Sequence, residues 1–81
     1  MTAIDDRLAG CFANAFPELG PREIQSAAVD TVAEWDSLRA VVLVALLEET
    51  FDVRIPARDY PRLRSYVAVR DYVSGMTGDR D

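Results

Sequence analysis

Asp36-Ser37-Leu38 is the place where this chain could do chemistry. Asp and Ser are both strong helix N-caps, and their side-chain oxygens take up backbone N–H groups that have no partner inside the helix. Taken alone, the tripeptide reads as two capping residues at the start of a helix. The same serine could be a nucleophile only if a base took its proton. The chain contains no His and no Lys, so no base of the usual kind stands near it in sequence. Those absences also exclude His acid–base catalysis, Schiff-base chemistry and the phosphate-binding lysine of a P-loop. With a single cysteine, Cys11, an intrachain disulfide is impossible and a His/Cys zinc site is excluded. No catalytic residue, no metal and no enzymatic activity are expected. Cys11 falls on an apolar helical stripe and reads as a small core residue.

The elements that must position Ser37 belong to a small chain. Its 81 residues make one domain at most, and a chain of this size buries only roughly 60–65% of its unfolded surface. The apolar fraction of 49% is ordinary for a globular protein and too high for intrinsic disorder at this charge. The net charge of −5 argues against a nucleic-acid partner. Charge is also unevenly placed: residues 1–53 carry ten acids and three arginines, net −7, and residues 54–81 four acids and six arginines, net +2. No cationic start followed by an apolar stretch opens the chain. The longest apolar run, Ala40–Leu47, is too short to span a membrane. A cytoplasmic protein with no membrane partner is expected.

The hydrophobic period predicts an all-α bundle of three main helices plus one short one, with a long first loop. Thr2 and Asp5 resemble a capping box, and Ile4, Leu8, Cys11, Phe12 and Ala15 then follow at helical spacing until Pro17 ends the run. Pro21 could open one short helical turn through Ala28. The strongest helix runs from Asp36 or Ser37 to Phe51, with Ala40, Leu43, Val44, Leu47 and Phe51 as its core stripe. Leu38, Val41, Val42 and Ala45 form a second stripe on roughly the opposite side. So small a protein can hardly bury it, and exposed apolar patches mark interaction sites. Asp52 breaks the period and Val53–Pro56 reads as extended. A short helix is expected over Ala57–Leu63, against the grain of Pro61. Ser65 caps the last helix, with Tyr66, Val69 and Val73 on one face, and Gly75 is expected to end it. The folded domain is placed at 1–75 and a polar tail at 76–81.

Several of these features occur together in a known family. Asp36-Ser37-Leu38, the helix ending Leu46-Leu47-Glu48-Glu49-Thr50-Phe51, the Ile55-Pro56 pair and a Ser65-capped last helix containing Asp71-Tyr72-Val73 keep their mutual spacing without an insertion. On these residues the chain resembles the acyl carrier and peptidyl carrier proteins, over roughly residues 3–75. The resemblance implies an acyl-carrier-like four-helix bundle, a monomer, with Ser37 as the attachment point. A phosphopantetheinyl transferase would link 4′-phosphopantetheine from coenzyme A to Ser37 through a phosphodiester, with Asp36 and Leu38 flanking it. The arm would carry acyl or aminoacyl cargo as a thioester. A loading ligase and downstream biosynthetic enzymes would be the other partners.

Two departures from the family narrow the expectation. Fatty-acid carriers commonly have acidic residues where this chain has Arg39 and Val42, so docking here should depend less on charge and more on Leu38, Val41, Val42 and Ala45. Trp35 stands where small residues are usual, which looks more like discrete carriers of polyketide, nonribosomal-peptide or related antibiotic biosynthesis. Trp35 is either a loop anchor or an aromatic contact for the transferase or a loading enzyme. Arg39 is either a solvated side chain or part of the docking surface. Among Arg54, Arg58, Arg62, Arg64 and Arg70, some could contact an acidic partner or the arm's phosphate. Phe51, Leu47 and Ile55 would line any space that shelters cargo. The alternative from another class is an unmodified helical adaptor that binds a protein through the aliphatic patch.

Overall fold

Ile4, Leu8, Cys11, Phe12 and Ala15 all lie buried along α1 (Ala3–Ala15), the first element of a computed structural model that describes residues 3–77. Thr2, the other half of the expected capping box, lies outside the described residues, as do residues 78–81 of the polar tail. Asp5 and Asp6 occupy the first turn of α1, where negative charge suits the helix dipole. A short helix α2 (Pro21–Ile24), a long helix α3 (Ser37–Phe51), a 3-10 segment (Ala57–Arg62) and α4 (Tyr66–Thr77) complete the order. The molecule measures 31 × 30 × 18 Å, and the short dimension admits about two layers of helix at an axial spacing of about 8–10 Å.

Helix α2 is shorter than the expected Pro21–Ala28 turn. Glu23 closes its start by accepting a hydrogen bond from the Gly20 N–H at 2.6 Å. Ala28 then leaves the helical path to form an isolated antiparallel bridge with Ser65. Val29 N–H donates to the Arg64 carbonyl at 2.8 Å, and Tyr66 N–H to the Ala27 carbonyl at 2.9 Å. The long first loop is thus stitched to the chain just before α4. No strand occurs among the described residues.

Leu43, Val44, Leu47 and Phe51 bury the predicted face of α3, with Ala40 partly covered. Asp52 ends the helix in the left-handed conformation (φ 55°, ψ 51°) and returns its N–H to the Glu48 carbonyl. The Glu48 carboxylate then accepts from Ile55 N–H at 2.8 Å, setting the extended connector. Pro61 has no N–H to give an α-helical ladder, and its segment folds as a 3-10 turn instead.

Gly75 does not end α4. The helix continues through it to Thr77, so the boundary expected at residue 75 moves by two residues. A helix stop of this kind needs a residue in the left-handed region, and Gly75 stays out of it. At the other end, Ser65 Oγ accepts from Ala68 N–H at 3.1 Å, the cap expected of it.

The core is held at one side by aromatic contacts from three parts of the chain. Trp35 stands edge-on to Phe12, with ring centres 5.6 Å apart, and 5.1 Å from Phe16. Tyr66 of α4 lies 5.2 Å from Phe12. Such pairs add roughly 0.5–1.5 kcal/mol each beyond the area they bury. Cys11 lies in the same core, its thiol against Thr50 Oγ1 at 3.3 Å and its ionisation pushed up by burial.

Candidate functional site

Asp36 and Ser37 divide the labour that the sequence assigns to both. Asp36 has extended backbone (φ −108°, ψ −172°), and its Oδ1 accepts from Arg39 N–H at 2.9 Å, which makes it the N-cap of α3. Ser37 is the first helical residue, and its side chain is exposed. With the cap supplied by its neighbour, the Ser37 hydroxyl makes no hydrogen bond to any described residue. It faces solvent at the end of a 15-residue helix, where unpaired N–H groups and the helix dipole favour an anion.

Arg39, two residues on, is engaged at the surface by groups of its own chain. Its guanidinium meets Glu18 as a two-pronged pair, at 3.0 and 2.7 Å, and donates to the Ala15 carbonyl at 3.0 Å. It also lies 5.8 Å from the centre of the Phe16 ring. The last residue of α1 and the first turn of α3 are thereby clasped together. The hydrogen bonds from Arg39 hold the Glu18 carboxyl down at about 2, and Glu18 in turn raises Arg39. Arg39 is therefore partly solvated but ion-paired, and not the free docking cation expected from sequence.

Trp35 takes the first of its two expected roles, the loop anchor, and not that of a partner contact. It is 6% exposed, with its indole among Phe12 and Phe16, so it anchors the loop and leaves little surface for a partner. Leu38, Val41 and Val42, in contrast, are 71%, 52% and 39% exposed, and Ala45 is exposed beside them. They form an apolar strip that starts next to Ser37 and runs along the outer face of α3.

A recess of about 310 Å³ opens on the other side of Ser37. Loop residues Val29, Trp35 and Asp36 form one wall, and Ser37 and Ala40 of α3 another. Tyr60 and Pro61 of the 3-10 segment, with Leu63 and Arg64, close it. The 3-10 segment is held in place by Tyr72, whose hydroxyl donates to Asp59 at 2.5 Å while Arg62 lies 5.1 Å from the ring centre. Leu47, Phe51 and Ile55, the expected lining of a cargo space, are buried in the core and take no part in this recess. The loop-to-α4 bridge brings Arg64 to the recess across long sequence separation, which no local pattern could foretell. Of the other arginines, Arg70 pairs with Asp5 at 2.7 Å.

Fold and site together define an all-α domain with a spare serine hydroxyl at the head of its longest helix. No protein-family model matches the chain, and no curated protein matches it significantly. No helix among the described residues is long and apolar enough to cross a membrane, and no cluster of three His, Cys, Asp or Glu side chains there could hold a metal.

Proposed function

We propose that this chain is a stand-alone carrier protein of the acyl and peptidyl carrier type, modified at Ser37 with 4′-phosphopantetheine. The observation that carries the reading is the pairing of a capping Asp36 with an exposed, unengaged Ser37 at the start of α3. A serine used as the cap would have its hydroxyl directed back at the helix. Here it is available to another enzyme, and α3 offers an apolar strip beside it on which that enzyme can rest. Four helical segments besides the 3-10 turn, and the motif spacing of the sequence, are consistent with the carrier fold. In the loading step a bond forms from Ser37 Oγ to the phosphorus, the pyrophosphate linkage of coenzyme A breaks, and the nucleotide half leaves. The hydroxyl proton goes to a base that the transferase supplies, since the carboxylate beside Ser37, Asp36, is engaged in capping α3. The arm's thiol, once attached, holds cargo as a thioester and raises its concentration at whichever enzyme the domain docks on. Leu38, Val41, Val42 and Ala45 carry no charge, and the nearest exposed acid on that face, Glu49, lies at the far end of α3. This favours partners with apolar docking faces near Ser37, as in specialised polyketide or nonribosomal-peptide assembly.

Incubation with a broad-specificity phosphopantetheinyl transferase and coenzyme A should add the mass of one arm to the wild type and none to Ser37→Ala. An unchanged wild-type mass with several transferases overturns the assignment. The exposed Leu38–Val41–Val42 strip also supports a second reading, an unmodified adaptor that binds a protein by that surface. Under it, Ser37→Ala keeps full biological activity and Val42→Glu loses partner binding.

A further inference from the structure

The recess beside Ser37 carries one acid and one cation, and their situations differ. Asp36 is spent on capping α3. Arg64 has no hydrogen-bond or ionic partner for its guanidinium among the described residues, although its carbonyl is fixed by Val29 N–H at 2.8 Å. Arg39, the other cation near Ser37, is consumed by Glu18. An anion placed on Ser37 would meet the carboxylate of Asp36 on the adjacent residue, and Arg64, whose guanidinium is uncommitted, is the one cationic residue lining the same recess that could offset it. Arginine presents a planar fork of donors that matches phosphate oxygens, and its backbone anchor here limits how far it can stray.

We propose that Arg64 is the counter-ion of the phosphodiester on Ser37, seating the start of the arm in the recess against Tyr60 and the 3-10 segment. This rests on the carrier reading and adds to it a preferred position: the arm leaves Ser37 towards Arg64, away from the aliphatic strip. The strip is then clear for a docking enzyme while the arm lies on the other side of α3. Attachment makes the encounter intramolecular, so even a weak, solvent-exposed ion pair is populated.

The test compares unloaded and loaded full-length protein, wild type against Arg64→Gln and Arg64→Lys. Arg64 is exposed and contributes only its backbone carbonyl to the fold, so all three should fold alike. Loading should shift the Arg64 Nε–Hε cross-peak and the phosphorus resonance, and about 1 M salt, with a Debye length of about 3 Å, should diminish both shifts. Arg64→Gln should move the phosphorus resonance towards that of free phosphopantetheine, and Arg64→Lys should fall between. A full mass gain with the same phosphorus resonance in wild type and Arg64→Gln overturns the proposal and leaves the carrier reading intact. No mass gain overturns the carrier reading, and the unloaded chain is then titrated with inorganic phosphate. A shift at Arg64 larger than at exposed Arg54 and Arg58 then supports an anion site in the recess, and equal shifts overturn it.

Discussion

Arg39 and Glu18 face each other fork to fork, 21 residues apart in sequence, with both guanidinium Nη atoms on both carboxylate oxygens at 3.0 and 2.7 Å. The pair sits two residues after Ser37 and ties the head of α3 to the end of α1 through the Ala15 carbonyl. It has two effects at once. It ties down the first turn of α3, and it occupies the one cation that the helix carries.

The clasp should leave a signature at low pH. Glu18 is held at about 2, well under its ordinary 4.5, chiefly by the hydrogen bonds from Arg39. Between those values the unfolded chain binds a proton that the folded chain refuses. The contribution of the pair is therefore present above about pH 4.5 and is lost as pH falls towards 2. Wild-type thermal midpoints should fall through this window more steeply than those of Glu18→Gln. Parallel curves for the two proteins would show that the pair adds nothing.

Trp35 should behave as a core residue. Truncation to Ala removes an indole that is 6% exposed and touches two Phe rings. Large aromatic-to-Ala changes in cores cost about 3–5 kcal/mol, against a total stability of about 5–15 kcal/mol for a typical domain. Urea denaturation followed by circular dichroism should show Trp35→Ala largely or wholly destabilised and Trp35→Phe much closer to wild type. An unchanged midpoint for Trp35→Ala would return the indole to the docking surface.

Helices α1, α3 and α4, the N-caps of α3 and α4 and the exposed strip of α3 were legible because each rests on local spacing. Leu43 and Leu47 recur on one face, Asp36 precedes the first turn, and Ser65 opens the last helix. Long-range relations were not legible. The type of residue 35 says nothing about whether its ring turns inward, and no local rule pairs Glu18 with Arg39 or Ala28 with Ser65. The recess exists only because those distant segments meet. Residue type alone does not decide a stop: Asp52, not a glycine, takes the left-handed turn that ends α3, and Gly75, free to take one, stays helical.

The aliphatic strip separates recognition from stability. Leu38 and Val42 are 71% and 39% exposed, so replacing either by Glu removes little packing. Surface changes of this sort stay within about 0.5 kcal/mol, and a Glu in the first turn of α3 even suits the dipole. Thermal midpoints of Leu38→Glu and Val42→Glu should match wild type, while the transferase's kcat/KM for each should drop about tenfold or more, the equivalent of about 1.4 kcal/mol. Equal loading rates would remove the strip from the transferase's docking surface.

Tyr66 should control the alkaline side. Its hydroxyl donates to Asp5 Oδ1 at 3.1 Å, the same oxygen that receives Arg70 Nε at 2.7 Å, and the side chain is otherwise sealed against Phe12. Burial first, and then the bond to Asp5, push its ionisation from the usual 10 up to about 12. A phenol whose ionisation is raised by folding keeps its proton longer in the folded state. Its stabilising effect is thus complete below about pH 10 and fades as pH rises through about 12. Tyr66→Phe removes the donor but leaves Asp5 paired with Arg70, so the loss at neutral pH should be about 0.5–1.5 kcal/mol. The variant should also lose less of its remaining stability than wild type between those pH values. A phenolate absorbance titration adds an independent reading: the most alkaline of the tyrosine ionisations should vanish in Tyr66→Phe. If it persists, the hydroxyl is not the group held by Asp5, and the Tyr66–Asp5 bond has no part in joining α1 to α4.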